Sequence, residues 1–227
     1  GEEASSGAGI RFAEASILET LGQPVNYTVI VNFNLFKQVI DLVGGVDINV
    51  SPGFEDKEYP LPGKEKSQPV SSRYETISFS DGANHLNGDT ALKFVRSRHS
   101  VGDEGTDFAR SRRQQQIIGA LKDKIFNKDF LLNQEKMTKL VDLIQDNLIT
   151  NLPSSLYPVL ARLGLDQAGK NINTIPLSIL PDSEGVSILY NPPVNKFKGE
   201  WVLMPKDNNW KALKQYIDSH LYSTLIK

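Results

Sequence analysis

Five of the chain's eight arginines fall between Arg96 and Arg113, inside the stretch FVRSRHSVGDEGTDFARSRRQQQII at residues 94–118. They are interleaved with Asp103, Glu104 and Asp107 and run straight into an apolar helical pattern. A guanidinium is a planar fork of N–H donors, always charged, that pairs bidentately with carboxylate or phosphate. Several forks converging near a helix N-terminus suit phosphate, because free backbone N–H groups and the helix dipole add to the same field. So much positive charge exceeds what a monoanion requires and suits pyrophosphate better. The competing reading is structural: an Asp107–Arg110 ion pair at i, i+3 and a solvated basic face.

A wheel drawn from Asp107 at about 100° per residue puts Asp107, Arg110, Gln114, Ile118, Leu121 and Ile125 on one narrow stripe. This predicts the core-facing side, with Arg112 opposite it in solvent and Arg113 on its flank. A charge pointing inward needs a partner or a ligand. Arg96 and Arg98 precede the helix by a glycine-containing loop and can face the same cavity. His99 reads either as a base or as polar surface. Asp103 and Glu104 read either as metal ligands or as solvated acids. No phosphate-cradling glycine loop, HExxH or GxSxG occurs.

The elements that must position these residues are legible in outline. Residues 9–21 carry Ile10, Ala13, Ile17 and Leu21 at helical spacing, and Gly22 and Pro24 end the helix. YTVIVNF at 27–33 predicts a buried strand. Phe36, Val39, Ile40 and Val43 mark a helix closed by Gly44-Gly45, and VDINV at 46–50 predicts a second strand. This β-α-β order favours an α/β layered sheet. Residues 51–75 read as a long loop, and TISF at 76–79 as a short strand. Asn87 caps the helix carrying Thr90 to Phe94, and the arginine helix runs from about Thr106 to Asn127. Further helices are expected at 133–148, 154–163 and 207–224, with strands at 171–178, 186–190 and 201–204.

With 227 residues the chain is long enough to bury a real core. Its net charge of −2 makes the surface as a whole no trap for polyanions, so only local basic patches matter. The absence of cysteine excludes disulfides, thiolate metal sites and thiol nucleophiles. No run of about 18 apolar residues is present to span a membrane.

Three segments, VNYTVIVNFNLFKQVIDLVGGVDINV, LNGDTALKFVRSRHS and DFARSRRQQQII, in this order and spacing, resemble the LytR-CpsA-Psr family of cell-envelope phosphotransferases. The resemblance is strong over residues 8–127 and weak over 128–227, which complete or extend a single domain of 1–227. It implies an α/β/α sandwich with a central mixed sheet flanked by helices. It implies extracytoplasmic enzymes, held at the membrane by an N-terminal helix. They transfer a glycopolymer such as teichoic acid or capsule from a polyprenyl-pyrophosphate carrier to peptidoglycan or another wall acceptor, assisted by Mg²⁺.

Carried over residue by residue, the family's pyrophosphate-binding and catalytic arginines match Arg96, Arg98 and Arg110. The motif aspartate matches Asp107, and the motif glutamine, on the pyrophosphate, matches Gln114. Ala109 stands where the family often has glycine. In the family the lipid tail lies in an apolar tunnel, for which Val31, Phe33, Phe36, Val39, Ile40 and Ile118 are candidate walls. The family's opening strands, which carry metal-binding aspartates and another arginine, have no counterpart in these 227 residues. The resemblance therefore implies a piece of a longer protein, holding no metal ligands of its own, associated with the membrane through a segment outside this sequence and inactive alone. Two other functions stay open: a non-catalytic binder of polyprenyl phosphate or wall glycan, and a nucleic-acid-binding regulator. Against the regulator stand the charge of −2 and the inward direction predicted for Arg110.

Overall fold

The computed structural model describes residues 7–170, 177, 179 and 187–222. These fall into two compact units, one within residues 29–172 and the other drawn from 1–28 and 173–227. The first unit holds the arginine segment.

In that unit Asn32 caps helix α2 (Phe33–Leu42), its side chain accepting from the Leu35 N–H at 2.7 Å. The helix ends at Gly44 and Gly45, whose φ of 85° and 82° lie in the left-handed region that glycine tolerates. Strand β2 (Val46–Val50) alternates strictly, with Val46, Ile48 and Val50 buried, and pairs antiparallel with β5 (Gly82–Leu86). Asn87 then caps α3 (Gly88–Arg96) by accepting from the Thr90 N–H at 2.9 Å, as predicted. Gly88 sits where a Cβ would come within 2.3 Å of the Lys37 carbonyl oxygen, so only glycine lets α3 start this close to α2.

Residues 51–75, expected to be loop, instead contain strand β3 (Phe54–Pro60) and the start of β4 (Tyr74–Phe79), paired antiparallel. The ladder shifts register between Asp56 and Tyr59. That extra residue lets Phe54, Asp56 and Tyr59 all face inward, where strict alternation would send Tyr59 out. An inward aspartate and a broken alternation hide this strand from a hydrophobic-pattern reading.

The core of the unit joins β2, β3, β4 and β5 to α2, α3, α4 (Asp107–Ile125) and α6 (Gln134–Asn147). At its centre the rings of Phe54, Phe79 and Phe94 lie 5.0 to 5.9 Å apart. Each such buried side chain contributes about 1.5–3 kcal/mol. A short helix α5 (Lys128–Leu131) precedes α6, and α7 (Tyr157–Asp166) follows a 3-10 turn, running beyond the 154–163 expected.

The helix-and-strand composition is the α/β class that was expected. The strands, however, pair as four two-stranded antiparallel ribbons among the described residues, not as one mixed sheet. The segment at 27–33 shrinks to β1 (Val29–Val31), which pairs with β6 (Leu148–Thr150). Val29 and Val31 are each about half exposed, contrary to the buried strand expected. β-branched residues report fit to a pleated surface, and a two-stranded ribbon buries little of it.

The other unit packs Leu21 of α1 (Gly7–Leu21), Leu189 of β7 (Leu189–Tyr190), Leu203 beside β8 (Met204–Pro205), and Leu213 and Ile217 of α8 (Trp210–Tyr222) into a small core. The predicted strands at 186–190 and 201–204 thus reduce to two-residue pieces. The strand expected at 171–178 lies outside the described residues, Leu177 excepted.

Candidate pyrophosphate site

The α4 helix begins at Thr106, whose hydroxyl accepts from the Ala109 N–H at 3.2 Å. Its first residue, Asp107, meets Arg110 at 2.9 Å (Nη2 to Oδ1) and Arg98 at 3.5 Å on the same oxygen. The sequence reading thus brings three of its site residues together, Arg98 reaching back from the loop after α3. Arg98 and Asp107 are partly exposed and Arg110 is more sheltered. Gln114 lies one turn beyond Arg110 on an exposed part of the helix.

Arg96, at the last turn of α3, is held differently. Its guanidinium lies 4.5 Å from the centre of the Phe33 ring and 5.8 Å from that of Tyr59, with Nη1 3.5 Å from the Tyr59 hydroxyl. Ring faces hold the cation in place while leaving N–H donors for an anion. Desolvation raises the Tyr59 hydroxyl pKa, with the nearby Arg96 and Lys93 charges pulling against it.

The buried face of α4 departs from the predicted stripe at Gln114 and Ile118, while Leu121 and Ile125 of that stripe do pack against the core. Ala109, Arg113 and Ile117 point into the core, whereas Gln114 and Ile118 are exposed. The reason is Arg113, a charge that the polarity pattern assigns to the rim and the fold buries to 1% exposure. Its Nε donates to the Phe94 carbonyl at 3.0 Å and its Nη2 to that of Ser97 at 2.8 Å. Its Nη1 donates to the Glu104 carbonyl at 2.9 Å and carboxylate at 2.8 Å. It also stacks 4.7 Å from the Phe54 ring centre. Burial pulls the Arg113 pKa down, opposed chiefly by the Glu104 charge. Arg112 is exposed, as predicted, but pairs with the other oxygen of Glu104. Glu104 is therefore a buried counterion and not a solvated acid, while Asp103 is exposed.

Asp56 was missed altogether. It is fully buried, and its Oδ2 accepts from the Ser97 hydroxyl (2.7 Å), the Arg98 N–H (3.1 Å) and the His99 N–H (3.2 Å). Its Oδ1 accepts from the Glu58 N–H at 2.9 Å. Burial alone would raise its pKa, but these four donors outweigh it and hold the carboxyl below the usual aspartate range. His99 itself is exposed.

The six residues expected to wall a lipid tunnel differ in burial. Ile40 is fully buried, Phe36 and Val39 pack against the core, and Val31, Phe33 and Ile118 are each more than half exposed. An open cleft of about 590 Å³ beside the site is instead lined by groups such as Phe54, Glu55, Lys57, His99 and Val101. Nor do the acids near the arginines form a metal site, since Asp56, Glu104 and Asp107 are engaged as described. Among the described residues no group of three or more His, Cys, Asp or Glu is placed to hold a metal. The described residues around the arginines do not fit Mg²⁺.

The LytR_cpsA_psr family model matches residues 2–214. The chain belongs to the LytR-CpsA-Psr family. It is 30% identical over 198 residues to the polyisoprenyl-teichoic acid–peptidoglycan teichoic acid transferase TagV of Bacillus subtilis, covering 87% of this chain and 44% of that protein. Against the corresponding transferase TagU of Bacillus mycoides it is 34% identical over 113 residues, 50% of this chain and 31% of that one. The chain thus spans less than half the length of these relatives. The crystal structure of B. subtilis TagV aligns with a TM-score of 0.62 at 25% identity, over 96% of this chain and 73% of that one. An Enterococcus faecalis structure described as a transcriptional regulator also reaches 0.62, covering 94% and 66%, but at 21% identity that likeness shows the fold alone.

Proposed function

We propose that this chain supplies the pyrophosphate-binding arginine helix of an extracytoplasmic, membrane-associated transferase. That enzyme moves a glycopolymer from a polyprenyl-pyrophosphate carrier to peptidoglycan. The observation that carries the reading is the convergence of Arg98 and Arg110 on one oxygen of Asp107, at the N-terminus of α4. An acid oxygen held by two guanidinium groups marks a place where a phosphate oxygen can be held. Membership in a family whose relatives are named teichoic acid transferases supports the reading.

In such a transfer an acceptor hydroxyl attacks the phosphorus joined to the glycan, and the lipid phosphate leaves. The chemistry is mostly positioning and charge stabilisation. Arg98 and Arg110 would take up the negative charge that grows on the departing phosphate, and Arg96 on its aromatic platform would hold the far phosphate. Gln114 would add a neutral donor one turn along. Mg²⁺, when bound, would supply further charge neutralisation, with ligands outside the described residues.

The test is transfer by the whole protein, using polyprenyl-pyrophosphate-linked teichoic acid and peptidoglycan fragments, beside pyrophosphate titration of this chain. Transfer lost in Arg110→Ala together with pyrophosphate binding by the chain supports the reading. The 227 residues alone are expected to bind without transferring. Binding without transfer by the whole protein would favour the non-catalytic binder.

A further inference from the structure

The loop that carries Arg98 is stapled at both ends by one side chain. Arg113 holds the Phe94 and Ser97 carbonyls at the loop's entry and the Glu104 carbonyl and carboxylate at its exit. Phe94 lies in the last turn of α3, where carbonyls lack intrahelical donors and face the negative end of the dipole, so a buried cation caps the helix there. The middle of the loop is held from another element: Asp56 of β3 takes the Arg98 and His99 N–H groups and the Ser97 hydroxyl. Both gripping groups are essentially without solvent contact. The Arg98 backbone is thus fixed while its side chain is left at the surface.

We propose that Arg113 and Asp56 are positioning residues that preorganise Arg98 for the anion, and that Arg113 is not itself a phosphate ligand. The proposal rests on the pyrophosphate reading of Arg98 and Arg110 given above. Arg113 spends its donors on protein oxygens, so the arginine nearest the motif glutamine in sequence has no fork to offer. A loop left unstapled would order Arg98 only when the ligand arrives, and affinity would fall by that ordering cost. A lysine at 113 keeps the charge but cannot span four acceptors with one point donor.

The test uses the 227-residue chain, titrated calorimetrically with inorganic pyrophosphate, with amide exchange at Arg98 and His99 followed by NMR and urea unfolding run alongside. In Arg113→Lys the affinity is expected to fall roughly tenfold or more, and both amides to exchange faster. In Ser97→Ala, which removes one hydroxyl bond to Asp56, the affinity should fall about two- to fivefold with the same change in exchange. If Arg113→Lys lowers the urea midpoint but leaves affinity within about twofold of wild type, Arg113 is only structural and the proposal fails. Unchanged exchange at Arg98 and His99 in both variants overturns it as well. Should Arg113→Lys not fold, Ser97→Ala decides alone, with unchanged affinity counting against the proposal. A wild-type chain with no affinity for pyrophosphate overturns instead the assignment of the arginines to a pyrophosphate, and the positioning role falls with it.

Discussion

Arg98 and Arg110 share one oxygen of Asp107, at 3.5 and 2.9 Å, so the carboxylate stands as an internal anion between two guanidinium groups that are far from adjacent in sequence. A phosphate approaching them competes with that carboxylate. Asp107→Asn keeps the shape and removes the charge. In this chain the variant is expected to bind pyrophosphate more tightly, by up to about fivefold at low salt, the scale of a partly exposed ion pair. Titration at two ionic strengths checks this. Weaker binding in the variant would mean that the carboxylate serves the ligand by aiming the arginines more than it opposes it.

Arg110 and Arg112 are close on α4 and differ in what they touch. Arg110→Ala removes a sheltered, charge-assisted donor, and pyrophosphate affinity should drop about ten- to a hundredfold. Arg112→Ala leaves Glu104 still paired with Arg113 and should stay within about twofold. The same titration, with circular dichroism confirming the helix content, separates a specific site from a diffuse basic face, for which both losses would be equal.

Arg113→Met should destabilise the chain by about 3–5 kcal/mol, because it leaves the buried Glu104 carboxylate with the exposed Arg112 alone and three carbonyls without their guanidinium donor. Adding Glu104→Gln should recover part of that loss, since a buried charge left with only its exposed partner goes with it. Urea unfolding of the two single variants and the double variant measures the coupling. Strict additivity would show that the pair does not interact energetically.

Asp56 sets a pH dependence whose sign follows from its lowered pKa. A carboxyl that is harder to protonate when folded stabilises the fold fully above the unfolded aspartate value. That contribution fades as pH falls from there through the lower folded value. Asp56→Asn should cost about 1–3 kcal/mol at neutral pH. It should also flatten the acid limb of stability against pH, with melting curves between neutral and strongly acid pH as the measurement. A variant with an unchanged acid limb would assign that limb to other carboxylates.

Much of this was legible in the sequence where the determinants are local. The Asn87 cap, the Gly44-Gly45 stop and the strict alternation of Val46 to Val50 each depend on a few neighbouring residues, and each was found. Arg98, Asp107 and Arg110 were also found, through type and spacing. Arg113 was placed on the flank of the inward stripe and not at its centre because its partners, Phe94, Ser97 and Glu104, are brought to it by the fold and not by the helix's own spacing. Ala109 and Ile117, four residues to either side, were the available signal. Asp56 was hidden because an aspartate flanked by Glu55, Lys57 and Glu58 reads as solvated loop, although Phe54 two residues before it marks the inward face.

The register shift in β3 gives this strand an unusual tolerance of change. Asp56, which fixes the Arg98 loop, and Tyr59, which lies against Arg96, face the same way across three positions because the bulge takes up one extra residue. Lys57 and Glu58, both exposed, can therefore vary widely in identity without disturbing either arginine. Their number is less free. Deleting one leaves the acid and the ring two positions apart, where plain alternation already puts both inward, so the bulge is lost and the faces are kept; deleting both turns one of them to the opposite face. Among descendants of this sequence, the loss of one of these two residues should be tolerated far better than the loss of both.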